Sequence, residues 1–183
     1  MSIEFILINV FFGLIAVIGL IILWFVLPPD SPWSPWWQVP HSNILEGLKL
    51  AKVTKKDTVY DLGSGDGRIP ILAAKDFGAK GVGIEFDYIR HLIGWLRVKG
   101  LRLEQLVTLK RGNFFDYNIS DATVIFVYLV PRVLDKLEPK LSSELKKGTR
   151  ILSYKYKFKT SKKSRIRFIR SDKKNEIHLY KIT

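Results

Sequence analysis

The stretch Asp61-Leu62-Gly63-Ser64-Gly65-Asp66-Gly67-Arg68 indicates the fold of this chain. The β-rich apolar run 58–62 leads into its glycines, and apolar residues at helical spacing follow over 69–77. A glycine-rich turn between a strand and a helix lies beyond the carboxyl end of the strand, where open parallel sheets bind their ligands. The stretch therefore predicts an α/β fold with a ligand site at this turn.

The spacing of the glycines at 63, 65 and 67 distinguishes between classes of nucleotide site. A dinucleotide fingerprint would place its third glycine where Arg68 stands, and a P-loop would end in Gly-Lys followed by Ser or Thr. Instead, Asp61 precedes the glycines and Asp66 lies among them. Because both carboxylates add negative charge there, the loop suits adenosine with a cationic amino-acid tail better than a pyrophosphate.

A second acidic position supports the nucleotide site. Glu85 ends the next apolar strand, which we predict over 81–85. A carboxylate at the end of the second strand can accept hydrogen bonds from both hydroxyls of a ribose. An exposed acid at a strand end is the alternative explanation of this residue.

Strand-like and helix-like segments alternate from residue 42 to the C-terminus. This order predicts a doubly wound, mostly parallel seven-strand sheet of the Rossmann-like type, ending in a hairpin. We expect Pro139 to split the helix that contains Leu134 to Leu145, and Gly148 to cap its end. The predicted strands are 58–62, 81–85, 107–110, 122–129, 150–158, 165–170 and 176–182, and the predicted helices include 43–52, 69–77 and 89–96.

The N-terminal segment is apolar from Phe5 to Leu27, with Asn9 as its one polar interruption. About 20 such residues cross the hydrocarbon core of a bilayer. A secretory signal peptide would have a basic start and a small-residue cleavage site, and neither is present. The sequence therefore predicts a transmembrane anchor over 1–28, a Pro/Trp-rich tether over 29–41 and the α/β domain over 42–183.

Charge is distributed unevenly along the chain, which has a formal net charge of +13. All 30 lysines and arginines lie at Lys49 or later. The positive-inside rule then predicts a single-pass protein with its N-terminus outside and its domain in the cytoplasm. A basic surface can bind anionic lipid, acidic protein or nucleic acid, or can simply be solvated. The absence of cysteine excludes disulfides and thiolate metal sites, and the three histidines lack metal-ligand spacing, so we expect no metal.

These motifs resemble those of the seven-strand S-adenosylmethionine-dependent methyltransferases. The resemblance begins at about Val39, includes the glycine stretch and Glu85, and continues through Gly112-Asn113-Phe114-Phe115. With the segments 73–77 and 139–150, it extends to a narrower group. That group contains archaeal broad-specificity protein-lysine methyltransferases and membrane-anchored mitochondrial enzymes that methylate the adenine nucleotide translocase and the ATP synthase c subunit. The chain departs from these relatives at 39–42, where they tend to have Val-Pro-Thr-Pro.

The resemblance implies S-adenosylmethionine as the cofactor and a role for each matching residue. The three glycines would shape the methionine and ribose pocket, Asp61 would lie near the amino-acid part, and Glu85 would hold the ribose. Asn113 would face the adenine amino group, with the Phe114 backbone beside the ring. The predicted cofactor-binding residues are Asp61, Gly63, Ser64, Gly65, Asp66, Gly67, Arg68, Glu85, Asn113 and Phe114.

The predicted acceptor site follows the fourth strand. Tyr128 is the candidate catalytic residue, with packing as its alternative role, and Leu129 and Pro131 would form the substrate mouth. The alternation of Tyr154 and Tyr156 with lysines is interpreted as the pleat of a strand. We expect a protein-lysine N-methyltransferase whose substrates are membrane-associated proteins, with anionic lipid as a further partner but not nucleic acid. The alternatives are a small-molecule or lipid methyltransferase at the membrane and a membrane-tethered basic binding module.

Overall fold

A computed structural model describes residues 3–26, 37–159 and 164–183 of the protein. The chain divides into two compact units, Met1–Trp37 and Gln38–Thr183. Most of the predicted tether over 29–41 lies outside the described residues. The domain boundaries 1–28, 29–41 and 42–183 therefore stay predictions.

The first unit contains one long helix, α1, over Ile3–Val26. Its apolar window, Ile3–Ile21, has a mean hydropathy of 2.5 and no buried residues. Length and composition make it a candidate membrane span, and a signal sequence near an N-terminus would meet the same criteria. The predicted anchor thus forms a helix, whereas its insertion in a membrane and its orientation stay predictions.

The second unit is built on a seven-stranded mixed sheet with the order β3-β2-β1-β4-β5-β7-β6. Strands β1 to β5 run parallel, while β7 is antiparallel to both β5 and β6. This arrangement confirms the predicted doubly wound, mostly parallel sheet with a terminal hairpin. The strands are β1 Thr58–Leu62, β2 Lys80–Glu85, β3 Val107–Arg111, β4 Val124–Val127, β5 Arg150–Tyr154, β6 Ile166–Asp172 and β7 Ile177–Ile182.

Within residues 37–159 and 164–183, four α-helices and a short 3₁₀ helix accompany the sheet. The central strand β4 is buried along its whole length. Val124 and Phe126 pack in one apolar cluster with residues of the helices over 41–50 and 68–77. Because side chains alternate along a strand, Ile125 and Val127 point to the opposite face of the sheet. The elements are α2 His41–Leu50, α3 Arg68–Phe77, α4 Tyr88–Gly100, the 3₁₀ helix Phe114–Asp116 and α5 Pro131–Glu144.

Two details around α5 differ from prediction. Pro139 does not split the helix, which is continuous over Pro131–Glu144. It lies on the exposed face, so water can solvate the carbonyl that proline leaves without a donor. Gly148 does not cap the helix, because Leu145 already occupies the C-cap position in an extended conformation. Gly148 instead donates its N–H to the carbonyl of Ile182 at 2.8 Å, which joins the turn before β5 to β7.

Helix α3 lies so close to strand β2 that a side chain does not fit between them. A Cβ atom at Gly81 would lie 2.4 Å from the carbonyl oxygen of Pro70 and 2.7 Å from its Cβ. Both contacts are shorter than van der Waals distance, and the first involves backbone. The glycine therefore sets how closely the helix that follows the glycine loop approaches the sheet.

We predict that Gly81→Ala lowers the free energy of unfolding by about 1–3 kcal/mol, because the helix must move away from the sheet. Gly100→Ala is the matched control, since no atom apart from its chain neighbours and the nearby backbone of its own helix lies within 4 Å of the position that the new Cβ would occupy. That substitution should leave the unfolding free energy within about 1 kcal/mol of the parent value. Chemical denaturation in mild detergent, followed by intrinsic fluorescence, measures both. Equal stabilities of the two variants would contradict the close approach.

Candidate active site

The glycine loop has a left-handed backbone at each of its glycines. The φ angles are 88° at Gly63, 53° at Gly65 and 73° at Gly67, which is the N-cap of α3. Such angles are accessible to glycine at little cost, so the sequence pattern permits a tight reversal here. The N–H groups of Gly63 and Ser64 both donate to the carbonyl of Ile84, at 2.9 and 3.0 Å. The loop after β1 is thereby fixed to the end of β2.

Glu85 makes the second connection between β2 and the loop. Its carboxylate is buried, accepting the N–H of Gly65 at 2.7 Å on Oε2 and the N–H of Asp87 at 2.9 Å on Oε1. Each carboxylate oxygen has two lone pairs. The two backbone donors therefore orient Glu85 and leave it acceptor capacity for further hydroxyl groups.

Asp61 is a buried carboxyl group at the end of β1. Burial raises its pKa well above the usual value, and repulsion from Glu85 and Asp66 raises the pKa further, against the attraction of Arg68. Ionised Asp61 is thus unfavourable in the folded protein until a cation binds beside it. A buried acid of this kind suits the ammonium group of an amino-acid ligand.

Asp66 lies in a different electrostatic environment from Asp61. Its carboxylate forms ion pairs with Arg68 at 2.8 Å and with Arg97 at 2.7 Å. Burial favours its protonated form, but these hydrogen bonds and charges hold its pKa below the usual value. Arg68 also donates to the carbonyl of Val39 at 3.3 Å. The charge of Asp66 is therefore balanced by Arg68 and by Arg97 of α4, and its predicted contact with the cofactor stays a prediction.

The loop after β3 lies next to Glu85. The N–H of Gly112 donates to the carbonyl of Glu85 at 2.9 Å. The side-chain oxygen of Asn113 accepts the N–H of Phe115 at 3.1 Å and caps the 3₁₀ helix, in which Phe114 is buried. Asn113 and Phe114 thus follow directly after the point where this loop is bonded to the backbone of Glu85.

Three tyrosines cluster where β4 and β5 end: Tyr154 is the last residue of β5, and Tyr128 and Tyr156 lie just beyond the two strands. The ring of Tyr128 is half-buried, 4.8 Å from the ring of Tyr154 in an edge-to-face arrangement and 6.3 Å from the nearly parallel ring of Tyr156. Burial is the main reason that the pKa of Tyr128 is raised. Leu129 follows Tyr128 in the chain and connects this tyrosine cluster to the glycine loop. Its Cδ2 lies 3.6 Å from the position that a Cβ atom on Gly63 would occupy.

A strained turn holds two of these tyrosines in place. Strand β5 ends at Tyr154, and the N–H of Tyr156 donates back to the Tyr154 carbonyl at 2.8 Å. Lys155 between them has a φ of 67°, which is typical of the rare classic γ-turn. The hydroxyl of Ser153 donates to the Tyr156 carbonyl at 2.6 Å, and the N–H of Lys155 donates to the Glu176 carbonyl at 2.7 Å. Strain that neighbouring groups enforce in this way is typical of functional sites.

The structure brings the predicted residues to one edge of the sheet. Asp61, Glu85, Asn113 and Tyr128 lie at or just beyond the carboxyl ends of β1, β2, β3 and β4, which are parallel neighbours. Pro131, from the predicted substrate mouth, begins α5 two residues after Leu129. Sequence analysis missed Tyr154 and Tyr156 as site residues. The Tyr-x-Tyr spacing at the end of the strand beside β4 is the signal that could have identified them.

The amino-acid sequence matches the family model described as the ANTKMT methyltransferase domain over residues 61–165. A protein-lysine N-methyltransferase of Saccharolobus islandicus is 40% identical over 131 residues, covering 70% of this chain and 80% of the relative. The adenine nucleotide translocase lysine N-methyltransferase of Mus musculus is 36% identical over 105 residues, covering 56% of this chain and 44% of the relative.

A solved structure matches over most of both chains. It is an RNA methyltransferase from Salinibacter ruber in complex with S-adenosyl-L-homocysteine, with a TM-score of 0.69, 36% identity, and coverage of 80% of this chain and 93% of the other. Together the matches confirm the predicted enzyme class, S-adenosylmethionine-dependent methyltransferase, and the predicted family resemblance. The chain belongs to the family of the ANTKMT methyltransferase domain.

Proposed function

We propose that the protein transfers the methyl group of S-adenosylmethionine to lysine side chains of membrane-associated proteins. The proposal depends on one observation. A glycine loop, two buried acids and a cluster of tyrosines lie together at the carboxyl ends of the parallel strands. The similarity to enzymes named as protein-lysine methyltransferases supports lysine as the acceptor.

The chemistry of the donor set fits S-adenosylmethionine. Glu85 would accept the ribose hydroxyls with the lone pairs that Gly65 and Asp87 leave available. Asp61 would pair with the ammonium group, which would remove the cost of its buried charge. The glycine loop would border the methionine and ribose, while Asn113 and the Phe114 backbone would border the adenine. The cofactor supplies a methyl group activated by its positively charged sulfur.

The tyrosine cluster, Tyr128, Tyr154 and Tyr156, would receive the acceptor lysine. Aromatic faces attract an ammonium group, and removal from water favours the neutral amine that can react. The rings would hold the neutral lysine amine with its lone pair facing the methyl group that the bound cofactor supplies, and the proton that the amine loses would pass to solvent. Because the pKa of Tyr128 is raised, its phenol is protonated at neutral pH. Tyr128 would therefore orient the lysine and would not serve as a general base.

Helix α1 is proposed as the membrane anchor. It is apolar over a length that suffices for a bilayer, and all lysines and arginines follow it in the chain. The positive-inside rule favours a cytoplasmic catalytic domain. An anchored enzyme meets lysines near the membrane at a high effective concentration, so the anchor would select substrates by location.

Glu85→Ala should weaken S-adenosylmethionine binding by about 1.5–3 kcal/mol, because hydrogen bonds to a charged group are lost. Glu85→Gln, which keeps one acceptor oxygen for the Gly65 N–H, should lose less. Isothermal titration calorimetry measures both affinities, and circular dichroism establishes that each variant is folded. Glu104→Ala, which removes an exposed acid outside the site, is the control. An unchanged affinity in folded Glu85→Ala would remove Glu85 from the cofactor site.

Tyr156→Ala should lower kcat/KM for a lysine-containing protein substrate by about tenfold, because one aromatic face of the acceptor site is lost. The dissociation constant of S-adenosylmethionine should stay unchanged, since Tyr156 lies on the acceptor side. Phe168→Ala, which removes an exposed ring from the edge strand β6, should change neither quantity. A loss of cofactor affinity with unchanged kcat/KM at saturating cofactor would place Tyr156 outside the acceptor site.

The full-length enzyme should methylate lysines of membrane proteins, whereas deletion of residues 1–28 should shift methylation towards soluble proteins. Both forms are expressed in cells that lack the native gene, and methyl-lysine is mapped by mass spectrometry. In parallel, radiolabelled S-adenosylmethionine is supplied to lysate, and protein, RNA and lipid are separated. Label in RNA or lipid would contradict lysine as the acceptor. Identical sets of modified proteins from both forms would contradict selection by the anchor.

A further inference from the structure

Helix α4 carries a stripe of exposed apolar and aromatic side chains. Gly94 and Val98 are buried on its inner side. On the outer side, Tyr88, Leu92, Trp95 and Leu96 follow the i, i+4, i+7, i+8 spacing of one helical face. Tyr88 is 57%, Trp95 45% and Leu96 55% exposed, and Phe86 just before the helix is 64% exposed. A solvated helix would present polar residues at these positions, so the outer face requires an explanation.

Cations surround this stripe and contact its aromatic rings. The ammonium of Lys99 lies 5.6 Å from the ring centre of Trp95, and the guanidinium of Arg111 lies 5.0 Å from that of Tyr88. Arg102, at the end of the helix, is also exposed. Indole and phenol rings beside lysine and arginine are the composition that favours the boundary between lipid headgroups and acyl chains.

We propose that the outer face of α4, comprising Phe86, Tyr88, Leu92, Trp95 and Leu96, rests on an anionic lipid surface. Its cations complement phospholipid headgroups, and the chain as a whole carries a net charge of +13. A second copy of the chain is the competing occupant. In a two-fold symmetric dimer two copies of the same positively charged patch would face each other, and this repulsion disfavours self-association through the face.

Helix α4 also packs against the loop of the proposed cofactor site. The helix begins three residues after Glu85, and a Cβ atom at Gly94 would lie 3.1 Å from the carbonyl carbon of Asp66. The helix backbone is therefore packed against the glycine loop, so a lipid-bound α4 places that loop beside the membrane. This inference rests on the proposed anchoring of the enzyme, and it adds a second, independent contact with the bilayer.

The test exploits the absence of cysteine from the full chain. Leu96→Cys gives a unique attachment site for a polarity-sensitive fluorophore on the outer face of α4. Asp76→Cys, at an exposed position of α3, is the matched control. Each labelled full-length protein is reconstituted into vesicles of phosphatidylcholine with and without phosphatidylserine. Quenching by aqueous iodide and by nitroxide-labelled lipid reports the location of the probe, while vesicle flotation independently reports anchoring by α1.

We expect the probe at position 96 to shift to shorter wavelength and to lose about tenfold in iodide accessibility in phosphatidylserine vesicles, because its side chain enters the interface. The control probe should stay accessible in both kinds of vesicle. In one contrary outcome the anionic vesicles carry the protein in flotation, but the probe at position 96 stays as accessible to iodide as the control probe. That result overturns the lipid contact of α4 and leaves the anchoring by α1 intact. Shielding that depends on protein density and not on phosphatidylserine also overturns the lipid contact, in favour of self-association.

Discussion

The hydrogen bonds between the Glu85 carboxylate and the backbone N–H groups of Gly65 and Asp87 are the constraint on which the site depends. A buried carboxylate is stable in a protein when donors surround it. Gly65 can direct its N–H towards Glu85 because the loop has a left-handed backbone at each glycine. The loop after β1, the end of β2 and the start of α4 are consequently held as one unit.

Asp61, near the end of β1, and Asp66, in the loop, differ in how their ionisation affects the stability of the fold. Asp66 is neutralised by Arg68 and Arg97, so its ionised form stabilises the folded loop. Asp61 has a raised pKa in the folded protein. Since the unfolded chain releases this proton first, the contribution of Asp61 to stability falls as the pH rises from its unfolded pKa towards its folded pKa. A buried acid that opposes folding in this way is reasonable where a cationic ligand is to be bound.

The features that the sequence predicted correctly are those that local pattern determines. The glycine spacing and the apolar strand before it located the loop, and the order of segments predicted the sheet and its hairpin. The uninterrupted α5 was not predictable in this way, because tolerance of Pro139 depends on which face of the helix meets solvent. Tyr154 and Tyr156 were not predicted as site residues because the role proposed for them depends on Tyr128, which follows a different strand.

The proposed cofactor half of the site is formed mainly by backbone groups, and the proposed acceptor half mainly by side chains. The proposed cofactor half relies on backbone groups, since the N–H groups of Gly63, Ser64 and Gly65 fix its loop and its carboxylate. The proposed acceptor half relies on side chains, namely the rings that the turn at Lys155 holds against Tyr128. Side chains can be exchanged while the backbone is kept. Substitutions in the tyrosine cluster would therefore alter the proposed acceptor site while the backbone of the loop is kept, as expected where one scaffold serves different substrates.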